Sequence, residues 1–146
     1  MATVIDVAKY IVDQYGEMDT WKLQKLVYYC QAWSLVWDEK PLFNSKIEAW
    51  ANGPVCPELF ERHRGRFAVG PATPIWDGAN PGALTDSERE TIDAVLKEYG
   101  NKAGYWLRAL THLEDPWKNA REGVPLMAQC TNEITQDSMR LYYGAL

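Results

Sequence analysis

The stretch from Asp19 to Asp38, DTWKLQKLVYYCQAWSLVWD, constrains the fold more than any other part of the chain. At about 100° per residue, Leu23, Leu26, Val27, Cys30, Trp33, Ser34 and Trp37 share one helical face, and only Ser34 interrupts its apolar stripe. The opposite face carries Tyr28, Tyr29, Ala32, Leu35 and Val36, which leaves Gln24, Gln31 and Asp38 as a thin polar strip. A helix that is apolar nearly all round has to be covered by the rest of the chain. Lys22, Gln24, Lys25 and Gln31 break the run too often for a membrane span. The stretch therefore predicts a mainly α fold: a compact, single-domain helical bundle over residues 1–146, built around a central buried helix at about 19–37.

Covering such a helix takes apolar material, and 47% of the 146 residues are hydrophobic, with seven Trp and eight Tyr, enough for one domain with a real core. The formal charge of −5 argues against non-specific nucleic-acid binding, which draws on a surplus of Lys and Arg. Cys30, Cys56 and Cys130 are odd in number and contain no CxxC pair, the pattern of reduced thiols rather than of a disulfide framework or a zinc site. MATVIDVAKY includes Asp6 and lacks the basic and apolar regions of a signal peptide, so a cytoplasmic protein without a membrane partner is expected.

Thr3 is placed to cap a first helix with Val4, Ile5, Ala8, Ile11, Val12 and Tyr15 at the helical period, and Gly16 to end it. The short connection to the long helix, capped by Asp19 or Thr20, predicts two antiparallel neighbours. Asp38 to Pro41 stops the long helix. Ile47, Ala49 and Ala51 then alternate with Lys46, Glu48 and Trp50, a short β segment at 46–51, followed by a turn at Asn52-Gly53-Pro54 and a short helix opened by Pro57. Residues 66–84, punctuated by Gly70, Pro71, Pro74, Gly78, Pro81 and Gly82, predict a long irregular loop pinned to the body by Phe67, Val69, Ile75 and Trp76. Thr85-Asp86-Ser87-Glu88 has capping-box spacing ahead of Ile92, Val95, Leu96 and Tyr99. Trp106, Leu107, Leu110 and Leu113 form a further amphipathic run, and Asp115-Pro116 starts another helical turn. Residues 123–132 read as loop, and Thr135 caps a last helix with Met139, Tyr142, Tyr143 and Leu146 inward.

Phosphate-cradling GxxxxGK[ST] or GxGxxG loops, the GxSxG elbow and HExxH are all absent from the sequence. Cys30 reads as a small core hydrophobe. Cys56 precedes a helix start that would lower a thiol pKa, yet reads first as a loop or cap residue. His63 and His112 do not make a metal site between them; His112, in THLEDPW, is at most a base oriented by Glu114 or Asp115. No catalytic, cofactor-binding or metal-ligating set is expected, and hence no enzyme; an undetected Cys/His-dependent enzyme is the alternative.

Lys22 and Lys25 stand out because the first turns of a helix disfavour cations by a few tenths of a kcal/mol. They read either as salt bridges to carboxylates of the same domain, the favoured reading, or as contacts to an acidic partner or an anionic ligand. Trp50 points away from the Ile47, Ala49, Ala51 face, either as a partner's anchor or packed under the 66–84 loop. The candidate partner surface is accordingly Lys22, Lys25, Trp50, Asn52, Gly53, Pro54 and Val55.

KLQKLVYYCQAWSLVWDEKPLF, IEAWANGPV and DPWKNAR together resemble the Panacea domain, the SocA-like family of phage-associated proteins. The resemblance is carried by Lys22, Leu23, Lys25, Leu26, Tyr28 and Tyr29, by Ile47 to Trp50 with Gly53, Pro54, Val55 and Leu59, and by Pro116, Trp117 and the C-terminal Tyr pair. It implies a mainly helical antitoxin of a toxin–antitoxin system, which neutralises a cognate toxin from an adjacent gene by direct protein–protein binding. In the SocA-like branch it implies in addition an adaptor that delivers the bound toxin to an ATP-dependent protease. The DNA-binding module of some relatives has no counterpart among these motifs.

Overall fold

The computed structural model describes residues 1–146. Seven helices, α1 (Val4–Tyr15), α2 (Thr20–Trp37), α3 (Pro57–His63), α4 (Asp86–Tyr99), α5 (Gly104–Leu113), α6 (Asp115–Ala120) and α7 (Gln136–Gly144), together with a 3-10 turn at Pro81–Ala83, hold 54% of the chain, so the fold is mainly α. Five short strands tie distant segments together: β1 (Met18–Asp19), β2 (Ile47–Trp50), β3 (Gly53–Val55), β4 (Ala68–Val69) and β5 (Glu133–Ile134). β1 pairs with β4, and β3-β2-β5 form a three-stranded antiparallel sheet.

Most helix starts follow from local side-chain chemistry. Thr3 and Asp6 cap α1 reciprocally, and Thr85 and Glu88 do the same for α4, each pair satisfying two backbone donors that the helix leaves free. Asp19 accepts from the Lys22 amide at 2.7 Å to open α2, and Thr135 opens α7. Proline sits in the first turn of α3 and α6, where a missing amide costs nothing.

α2 packs against α1, α4, α5, α7 and β3. Its polar residues Gln24, Gln31 and Ser34 are buried along with most of its apolar side chains, because each serves the backbone of the segment that follows; Trp37, expected on the inward face, is 50% exposed at the C-terminal end. Gln31 accepts from Leu42 N at 2.8 Å and donates to Phe43 O at 2.8 Å. Ser34 donates to Lys40 O at 2.7 Å, and Gln24 accepts from Cys56 N at 2.9 Å while its amide nitrogen lies 3.0 Å from His63 Nε2. Those carbonyls and amides would otherwise be buried without partners, at about 1–3 kcal/mol each. The irregular chain from Lys40 to Phe43, and the entry to α3 at Cys56, are thus held by α2.

Several local expectations change. The turn after β2 is Ala51-Asn52, and Gly53 and Pro54 belong to β3, paired with Trp50 and Ala49. Proline is tolerated there because β3 is an edge strand. Glu48, expected to face outward, is buried, since it accepts from Trp50 Nε1 at 2.8 Å and pairs with Lys46 at 3.1 Å. The 66–84 segment contains β4 and a 3-10 turn at Pro81–Ala83, and Val69, Ile75 and Trp76 do pin it. Phe67 does not: it is 79% exposed. The Phe67 carbonyl accepts the Thr20 amide at 2.8 Å and Thr20 Oγ1 donates to Arg66 O, so the backbone is fastened to the start of α2 while the ring is left outside. Leu113 and Leu146 are also exposed, which narrows the inward faces of α5 and α7 to Leu107 and Thr111, and to Met139 and Tyr143.

Candidate partner-binding site

The β2–β3 hairpin is built over an unusual floor. Lys25 is 0% exposed, with Nζ donating to Pro54 O at 3.2 Å. Neither Lys22 nor Lys25 forms an ion pair, so the expected salt bridges are absent, and Lys25 cannot reach a partner because the hairpin covers it. Burial, reinforced by the Arg108 charge and opposed by Asp19, pushes the Lys25 pKa down to about 7. Gly53 makes this approach possible: it takes φ +114°, and a Cβ there would lie 2.4 Å from Lys25 Cε.

The other expected partner residues divide by position. Asn52 is exposed at the hairpin turn, Lys22 and Trp50 are half-buried, and Gly53, Pro54 and Val55 are buried in β3. Trp50 packs edge-on against Phe60 at 5.0 Å rather than under the 66–84 segment. Its strand is fastened from behind, where Trp117 Nε1 donates to Trp50 O and Arg121 donates to Ala49 O, both at 2.9 Å.

A cavity opens on each side of the turn, and Asn52 lines both. One, about 360 Å³, is bounded by Trp50, Ala51 and residues 129–131. The other, about 370 Å³, lies between the β1–β4 ladder, the start of α2 and the start of α5, and its lining includes Asp19, Trp21, Phe67, Tyr105 and Arg108. Three of these are aromatic and exposed, Phe67 and Tyr105 at 79% each and Trp21 at 36%. All three stand on regular or hydrogen-bonded backbone, so a partner that covers them has little backbone order to impose. Aromatic and arginine side chains held this way are the usual energetic anchors of protein interfaces.

Trp21, Phe67, Tyr105 and Arg108 were not among the residues expected from sequence. An aromatic next to apolar neighbours reads as core, and the one available signal was that Trp21 and Tyr105 fall off the apolar stripes of their helices.

The ionisable groups that might have suggested chemistry are occupied differently. Burial raises the Cys56 thiol to about 11, against the lowering expected from its place before α3, and raises that of Cys30 as well. His112 stacks on Trp117 at 3.8 Å, with burial and the Arg108 charge lowering its pKa to about 4. Glu114, expected to orient His112, turns inward instead and accepts from Tyr29 at 2.7 Å and Tyr143 at 2.8 Å. No three His, Cys, Asp or Glu side chains cluster as a metal site would require, and no helix is long and apolar enough to cross a membrane.

A family model described as "Antitoxin SocA-like, Panacea domain" matches residues 23–118, which include β2, β3, Phe67, Tyr105 and Arg108. No curated protein and no solved structure matches the chain.

Proposed function

Since the chain belongs to the SocA-like antitoxin family defined by the Panacea domain, we propose that it neutralises a cognate toxin protein by binding it directly, with the Trp21, Phe67 and Tyr105 cleft as the receiving surface. The observation that carries this reading is the convergence of three exposed aromatic side chains, each on fastened backbone, around one cavity. Binding rather than catalysis is the proposed activity, in the cytoplasm, with stoichiometric capture of the toxin.

Co-expression with the toxic product of an adjacent gene tests the whole reading. The wild-type chain restores growth with toxin abundance unchanged, and Phe67→Ser with Tyr105→Ser abolishes the rescue. Toxin levels that fall during rescue, and recover when an ATP-dependent protease is deleted, would establish delivery instead of capture. Cys56→Ala, and His112→Phe which keeps the stack on Trp117, leave rescue intact; loss of rescue with a folded Cys56 or His112 variant would favour an enzyme.

A further inference from the structure

Amid its aromatic lining, the cleft contains one cation that the fold leaves uncompensated. Arg108 stands one turn beyond Tyr105 on the same side of α5 and lines the cavity. Its Nε is buried without a hydrogen-bond partner, and its guanidinium forms no ion pair although the chain carries 20 acidic residues. Of the nearby cations, Lys22 and Arg66 form no ion pair either but do not line the cavity, and the buried ones are committed elsewhere. Lys25 donates to Pro54 O, and Arg121 is taken up by the carbonyls of Ala49, Pro125, Leu126 and Ala128. The one carboxylate in the lining, Asp19, is engaged as the cap of α2.

We propose that the partner segment seated in this cleft carries an Asp or Glu side chain flanked by apolar residues, the carboxylate pairing with Arg108 and the flanks lying on Trp21, Phe67 and Tyr105. The inference rests on the toxin-binding reading and adds the chemistry of what enters the site. A guanidinium fork matches a carboxylate with two parallel hydrogen bonds, and an aromatic surround excludes water from that pair. One arginine in the lining, on a chain of net charge −5, suits one carboxylate better than a polyphosphate or nucleic acid, whose further charges would meet Asp19 and the acidic surface.

The test starts from a random short-peptide display library panned against the full chain, with the selected peptides measured by fluorescence polarisation. Selected peptides share an acidic residue between apolar ones. Arg108→Gln weakens them about 30-fold, the peptide's own Glu→Gln does the same, and the two together lose little more than either alone. Arg108→Glu then recovers binding of peptides in which Glu is replaced by Arg. Because Arg108 has no internal partner, its variants melt within a few degrees of wild type, so loss of binding is not loss of fold. Failure to select any peptide, selection without an acidic residue, or binding unchanged by Arg108→Gln would overturn the proposal; so would Arg108-dependent binding of ATP, which would assign the cleft to phosphate. Acidic peptides held through Arg108 while toxin rescue ignores Phe67 and Tyr105 would sink the toxin reading alone. Rescue that needs Phe67 and Tyr105 but survives Arg108→Gln would sink only the carboxylate.

Discussion

Replacing Glu114 by alanine is expected to cost the fold about 4 kcal/mol, measured as a lower urea midpoint with an unchanged slope. Glu114 is 6% exposed and one of its oxygens accepts from both Tyr29 and Tyr143. Since Tyr143 spends its proton on Glu114, it is Tyr28 that donates to Tyr143, at 2.9 Å. The carboxylate therefore terminates a chain of phenols from α2 and α7 at the junction of α5 and α6. Alanine would leave two buried hydroxyl donors without an acceptor, each at about 1–3 kcal/mol, and add a cavity. Glu114→Gln keeps an acceptor oxygen and should cost far less. Burial holds the Glu114 pKa above its ordinary value despite the tyrosine hydrogen bonds that favour the carboxylate. The stability linked to that raised value is fully present below the unfolded carboxyl pKa and is lost as pH rises through the folded one. The wild type should therefore gain on Glu114→Gln as the solution is acidified; a wild-type advantage that grows with rising pH would contradict the assignment.

Lys25→Met should act in the opposite direction, raising stability by about 2 kcal/mol near pH 6.5. In the folded chain Lys25 titrates at about 7 against 10.5 for an unperturbed lysine, so between those values the unfolded chain holds the extra proton. Wild-type stability consequently climbs with pH across that interval, by about 1.4 kcal/mol per unit from this one group, and is flat with respect to it below. The methionine variant lacks that climb. It surrenders the bond to Pro54 O, which offsets part of the gain, but its apolar side chain has no proton to shed. The difference between the two proteins should shrink steadily from pH 7 upward and reverse by about pH 10. A constant difference over that range would mean that Lys25 is not buried as a base beneath the hairpin. Comparing the two proteins at each pH cancels the tyrosines, whose raised values also shape the alkaline limb.

The same residues show which parts of the structure were legible beforehand. Thr3, Asp19, Thr85 and Thr135 announced their helices because a cap is a contact within three residues, and such contacts survive in any tertiary setting. The pairing of Met18 with Val69, or of Glu48 with Glu133, was not legible. A strand two residues long has no period to detect, and its partner is chosen by how the helices pack. The β segment before the turn was legible, from its alternation over residues 46–51. What lies beneath the hairpin was misjudged, since an ammonium in a sequence reads as paired with a carboxylate, and it is the close approach of Gly53 that buries Lys25 instead. The exposure of Phe67 was hidden for a related reason: its backbone is claimed by Thr20, a contact between distant segments, and that contact turns an apparent anchor into an outward-facing ring. Helix existence, being local, could thus be read, whereas the proposed binding surface, assembled from four separate segments, could not.

The most direct test of the antitoxin reading is titration calorimetry of the purified cognate toxin against three versions of this chain. These are the wild type, the Phe67→Ser and Tyr105→Ser double variant, and Leu141→Ser, which alters an equally exposed apolar residue on α7 outside the cleft. The double variant should lose at least about 100-fold in affinity while Leu141→Ser binds as the wild type does. Wild-type affinity in the double variant, or loss of binding through Leu141 instead, would place the toxin on another face of the molecule.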